Sequence, residues 1–189
     1  MNGPAPIILI LTLVVALAAG AFSGSDPGLE SIYSRSVGSS FTWHQEGAPI
    51  DRVLAVVLDQ EGLKRLESEQ VILKDLLDDV KVNFETHALV VAYMGAMPTG
   101  GYAIRITDVQ AFRDQQGQPS RVAIRLAVAS PSPGSFVTQA LTYPVDTVAI
   151  PRSNWPAGVL EALAGGSLPI EASDQDGRDW GPVIVYASR

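Results

Sequence analysis

The chain has 189 residues, 47% of them hydrophobic and 17% charged, with 13 Lys+Arg against 20 Asp+Glu, a formal net charge of −7 and no cysteine. This apolar share excludes wholesale disorder, and the acidic balance excludes the basic face that a nucleic-acid binder needs to neutralise phosphates. The absence of cysteine removes disulfide frameworks, thiol nucleophiles, cysteine–zinc sites and a lipid-modified N-terminal cysteine.

In chain order, the first feature is an uncharged N-terminus whose run Ile7 to Phe22 is almost wholly apolar. At sixteen residues it falls short of the ~20 that cross a bilayer as a helix, and it fits the apolar region of an export signal. Ala19-Gly20-Ala21 has the A-x-A form of a cleavage site, although no Lys or Arg precedes the apolar run. Residues 1–25 therefore read as a signal peptide or a retained N-terminal membrane anchor, helical and in contact with membrane at least during export. The expected location is secreted, periplasmic or anchored on the outer side of the cytoplasmic membrane. Residues 26–50, rich in Gly, Ser and Pro with scattered aromatics, show no clear period and read as a linker or irregular leader.

Residues 51–189 form the expected folded domain. Arg52 to Leu58 is a compact apolar strand, followed by Asp59 as a helix N-cap. Leu63, Leu66, Leu73, Leu76, Leu77 and Val80 are spaced by three, four and seven, which predicts one long helix or two short ones with a single apolar face. Thr86–Gly95 reads as a buried strand. Tyr102, Ile104 and Ile106 alternate with wetter neighbours, as do Val122, Ile124, Leu126 and Val128, and the turn Asp114–Pro119 between them predicts a hairpin. Phe136–Tyr143 and Val145–Ile150 are further strand candidates, Pro156–Leu163 a short helix, and Val183–Tyr186 a last strand. The predicted fold class is α+β, a mainly antiparallel, sandwich-like β domain with one or two helices packed on it.

Chemistry-bearing patterns are sparse. His44 and His87 are the two histidines, and neither adjoins a nucleophile elbow or a metal-ligand spacing. Asp174-Gln175-Asp176-Gly177-Arg178-Asp179 lacks the last acidic ligand of a calcium loop and reads as a solvated turn. Asp75, Asp78 and Asp79 fall on a solvated helix face. No catalytic residue, metal site or cofactor is expected, and a hydrolase built on His44 or His87 is the reading from a different class.

Two loops carry the strongest signal. Pro98, Thr99, Gly100, Gly101 and Tyr102 join two strands, and Pro133, Gly134, Thr138, Gln139 and Tyr143 lie in or just after a Pro/Gly-rich break. Adjacent glycines permit positive φ and close backbone approach, while threonines and tyrosines offer hydrogen bonds and aromatic anchors. These ten are the candidate binding residues, for a protein partner. The same loops are also consistent with turns that serve the fold alone.

The stretch from Arg52 to Pro151 resembles the PrcB C-terminal domain family, named for a subunit of a secreted bacterial protease complex. The resemblance rests on Gln60-Glu61-Gly62-Leu63, Val82-Asn83-Phe84, Val90 to Gly95 leading into Pro98-Thr99-Gly100-Gly101-Tyr102, Pro131-Ser132-Pro133-Gly134, Thr138-Gln139-Ala140 and Thr142-Tyr143-Pro144. It implies a non-catalytic domain that associates with a protease or another envelope protein, here without a lipobox cysteine. The Pro98–Tyr102 loop is also similar to the N-P-T-T-G-Y loop of chagasin-type protease inhibitors, with Met97 and Gly100 departing from that pattern. The alternative it implies is an inhibitor that plugs a protease cleft.

Overall fold

The computed structural model describes residues 30–31, 36–40, 51–78 and 80–188. The predicted N-terminal helix and its export signal lie outside these residues, as does His44. No described helix is long and apolar enough to cross a membrane.

Two sheets and a helical layer make up the domain. The strands in chain order are β1 (Glu30–Ser31), β2 (Ser36–Ser40), β3 (Val53–Val57), β4 (His87–Tyr93), β5 (Ala103–Arg113), β6 (Pro119–Ala129), β7 (Val145–Pro151), β8 (Ile170–Ser173) and β9 (Ile184–Tyr186). One sheet runs β1-β5-β6-β8 and the other β2-β7-β4-β3-β9. The α+β class holds, with both sheets mixed: β8 joins β6 and β9 joins β3 in parallel, while the other pairings are antiparallel. The leader expected to be irregular contributes β1 and β2, which extend one edge of each sheet. Their side-chain pattern is too short to show a period.

The apolar runs of β3 and β4 are continuous because both faces of this sheet are covered. Leu54 and Val56, with Ala88, Val90 and Ala92, face the β5–β6 hairpin and join Ile104, Ile106, Val109, Val122, Ile124 and Leu126 in the inter-sheet core. Their neighbours Val53, Ala55, Val57, Leu89, Val91 and Tyr93 face the opposite way, onto the helices.

Two helices cover that outer face, α1 (Gln60–Glu69) and α2 (Val71–Leu77), separated at Gln70. Of the predicted face, Leu63, Leu66, Leu73, Leu76 and Leu77 pack in this second core and Val80 is partly buried against it; Ile72, not predicted, joins them. Full burial of each such side chain contributes roughly 1.5–3 kcal/mol. The Asp59 carboxylate caps α1 by accepting from the Gly62 N–H at 2.7 Å, and its other oxygen accepts from the Ser188 N–H at 2.7 Å and hydroxyl at 2.8 Å. One side chain thus ties the start of α1 to the end of the described chain. Burial pushes its pKa up, but the Ser188 and Gly62 donors outweigh that and hold it below the usual 3.8. A depressed carboxylate stabilises the fold above its unfolded pKa, and that contribution disappears as pH falls through the lower folded value. Wild-type stability relative to Asp59→Asn is therefore expected to be constant near neutrality and to decline below about pH 4. Paired urea melts across this range check it, and a constant difference down to the acid limit would remove the assignment.

Arg152, just after β7, pins three elements. Its N–H donates to the Thr86 carbonyl at 2.7 Å, its Nε to the Phe84 carbonyl at 2.9 Å and its Nη2 to the Leu58 carbonyl. The predicted helix Pro156–Leu163 starts later: Pro156 and Gly158 form a turn, and α3 spans Val159–Ala164. Asp174 Oδ1 accepts from the Asp176 and Arg178 N–H groups, so the acidic stretch 174–179 is a self-capped surface turn before buried Trp180.

Candidate functional site

The register of both sheets brings the two sequence-predicted loops to the same end of the sandwich. The first leaves β4 at Tyr93, which is opposite Val145, and enters β5 at Ala103, which is opposite Ala129. The second leaves β6 at Ala129 and enters β7 at Val145. The loops must therefore run side by side, and a ladder of hydrogen bonds locks them. Met97 and Thr142 exchange both backbone bonds at 2.8 and 2.9 Å, the Gly100 N–H donates to the Thr138 carbonyl at 2.9 Å, and the Thr142 hydroxyl donates to the Thr99 carbonyl at 2.8 Å.

Gly101 explains the double glycine. Its φ is +87°, and a Cβ there would lie 3.1 Å from Pro131 Cβ and 3.2 Å from Val137 Cγ1. The left-handed backbone favours glycine, and a Cβ would in addition press on the second loop. A Cβ on Gly100 would meet Thr138 at 3.4 Å, an ordinary contact, so that position is less demanding.

The predicted residues separate into a frame and a surface. Tyr143 is 1% exposed and packs with Tyr93 in the helix-side core, so it supports the loops from beneath and offers no ring to a partner. This corrects its reading as an aromatic anchor: just before β7 its side chain packs into the sheet-and-helix core. Burial and then the neighbouring Tyr143 push the Tyr93 phenol up to about 12. Thr99, Gly100 and Tyr102 are half-buried, while Pro98, Gly101, Pro133, Gly134, Thr138 and Gln139 are exposed.

Residues 136–143 do not form the predicted strand. Apart from the Met97–Thr142 bridge, they run as irregular chain over the first loop. Consequently Phe136 and Leu141 are not turned into a core, whereas Tyr143 at its end is. Phe136 is 107% exposed and Leu141 40% exposed, two of the few large hydrophobics open to solvent among the described residues. Sequence reasoning passed over Phe136 by assigning it to a strand. The available signal was its setting, a lone aromatic after Pro131-Ser132-Pro133-Gly134-Ser135 with no alternating partners.

Among the described residues, no carboxylate is recorded in a hydrogen bond or ion pair with His87. Its Nδ1 lies 2.8 Å from the Thr86 hydroxyl, which also donates to the Asn83 carbonyl, at the opposite end of β4 from the loops. Among the described residues no group of three or more His, Asp or Glu side chains could hold a metal.

Fold and loops together define a helix-backed β-sandwich that presents a braced loop pair at one end. Residues 88–151 match the PrcB C-terminal family, as the sequence resemblance implied. The matched segment runs from β4 through β7 and contains both loops complete. It leaves out β3, α1 and α2, so Gln60–Leu63 and Val82–Phe84 lie outside it. Neither a curated protein nor a solved structure matches the chain.

Proposed function

We propose that this chain is a non-catalytic, exported protein-binding domain, an accessory partner of an envelope or secreted protease or another envelope protein. Docking occurs through the end of the sandwich built by Pro98–Tyr102 and Pro131–Leu141. The family match supports the protease-complex setting, and the uncharged apolar run at residues 7–22 supports export.

The observation that carries the reading is Phe136. A fully exposed phenyl ring forgoes roughly 2–3 kcal/mol of burial, and scattered surface hydrophobics are ordinary. This ring, however, shares its loop with exposed Leu141, and that loop is held by hydrogen bonds and by Gly101 against a second loop. A braced backbone limits the ordering entropy that binding would otherwise cost, the condition under which an exposed aromatic becomes a hot spot.

Capture from the native envelope or medium with immobilised chain, followed by mass identification, tests the proposal. Wild type is expected to retain a companion, and Phe136→Ala or the pair Thr99→Ala/Tyr102→Ala to reduce it at least about tenfold with cooperative melting preserved. Unchanged capture by these variants would reject the loop site. Titration of the pure protein against a panel of proteases separates accessory subunit from inhibitor, since only the latter blocks activity at stoichiometric amounts.

A further inference from the structure

The loop end of the sandwich has a second property besides the exposed ring: its two loops carry no charge, while exposed Asp51 and Arg52, just before β3, and the charged turn 174–179, tied to Val128 through Gln175, border the same end. No Asp, Glu, Lys or Arg occurs between Glu85 and Arg105, or between Arg125 and Asp146, in a chain with 17% charged residues and a net charge of −7. These two sequence stretches are distant, and only the pairing of β4 with β7 and β5 with β6 superposes them at one end. Part of each stretch is buried strand, where charge is absent for ordinary reasons. The loops are not: every exposed position from Ser130 to Leu141, together with Pro98 and Gly101, is neutral. Of the nearest charges in sequence, Asp146 is 1% exposed beneath this surface and Arg105 stands exposed farther along β5, while Asp51, Arg52 and the turn 174–179 lie at its margin. Elsewhere solvent-facing positions carry charge freely, as on α1 with Glu61 and Lys64.

Building on the docking reading above, we infer that the partner's contact face is likewise uncharged and apolar, a protein cleft that takes up the Phe136 ring with Leu141 beside it. A charged cleft would have to be desolvated against neutral hydroxyls, amides and apolar carbon, which offer no compensating ion pair. Depletion of charge with an aromatic at the centre and charges at the margin is the composition of an interface core and its rim. An anionic lipid surface is disfavoured, because the loops supply no Lys or Arg to meet it, Arg52 at their margin is accompanied by Asp51, and the whole chain is acidic. Association consequently depends on desolvation of the ring more than on electrostatic steering.

The test is the captured complex itself, challenged with salt and with charge. Retention of the companion is measured at about 50 mM and about 500 mM NaCl, a range over which the Debye length falls from roughly 14 Å to 4 Å. Retention is expected to change by less than about threefold. Phe136→Asp is expected to reduce it by about 100-fold, Phe136→Leu by about threefold or less, and Arg105→Gln hardly at all. A companion that elutes in high salt, or that tolerates Phe136→Asp, would overturn the neutral-cleft inference and leave the docking reading standing. No companion at any salt would overturn both. Sedimentation of the pure protein and co-flotation with phosphatidylcholine vesicles complete the test: Phe136-dependent self-association or vesicle binding would assign the surface to a second copy or to lipid, against the inference.

Discussion

Gly62→Ala is expected to destabilise the protein by about 2–4 kcal/mol, with the opposite sign to its effect on an isolated helix. In a solvent-facing helix interior, replacing glycine with alanine gains about 1 kcal/mol from reduced backbone entropy. Here the helix meets a strand at that residue. A Cβ on Gly62 would fall 2.4 Å from the Tyr186 carbonyl oxygen and 2.6 Å from its carbonyl carbon, and these are backbone atoms that cannot swing away. β9 is held in place by parallel pairing to β3, by the Leu58 N–H donating to the Tyr186 carbonyl at 2.9 Å, and by the Tyr186 hydroxyl donating to Glu69 at 2.8 Å. Relief of the overlap must therefore separate α1 from β9 and loosen the tie from Asp59 to Ser188. Equilibrium urea unfolding of Gly62→Ala beside a solvent-facing control such as Lys64→Ala checks the prediction. Unchanged or increased stability would show that the approach of α1 to β9 is looser than described.

The second large effect is expected at Asp146. The β5–β6 register shifts between Ile106 and Asp108, leaving Thr107 as an extra residue and freeing the Ile106 N–H from the ladder. That N–H donates at 2.7 Å to Asp146 Oδ2, on β7 of the other sheet, and Asp146 is 1% exposed. The bond staples the two sheets beside the loop end. Asp146→Ala leaves a buried N–H without its acceptor and opens a small cavity, together about 2–4 kcal/mol. Asp146→Asn keeps an acceptor oxygen of the same shape and should recover at least half of that loss. Because the staple lies behind the loops and not in them, Asp146→Asn should also capture the companion normally wherever it is folded. If Asn proved as damaging as Ala in urea melts, the acceptor role would be wrong and the carboxylate itself would be the requirement.

Much of the sandwich was legible because its periods are strong. The alternation in β5 and β6 and the turn Asp114–Pro119 predict the hairpin within a few residues, and the leucine spacing from Leu63 to Leu77 names the buried helical face. The Asp59 cap was legible from its position before Gln60-Glu61. What failed to read locally were elements whose neighbours are distant in sequence. β1, β2 and β8 have two, five and four residues, too few to establish a period, and they exist because an exposed sheet edge accepts their backbone hydrogen bonds. Tyr143 and Phe136 failed in opposite directions for a related reason. Both are aromatics in one apolar stretch, Phe136 to Tyr143, and local pattern cannot say which of them the Met97–Thr142 bridge will turn inward.

Composition and spacing alone thus determined the α+β class, the helical face, the hairpin, the acidic balance and the two loops with demanding backbones, since each depends on near neighbours or on a sum over residues. Tertiary structure decided what those loops form together. Strand register placed Gly101 against Pro131 and Val137, sank Tyr143, left Phe136 in solvent and merged two uncharged stretches into one surface. Such outcomes depend on contacts across thirty or more residues of chain, as between Gly100 and Thr138, where closing the loop is compensated by the pairing of whole strands and not by any local preference.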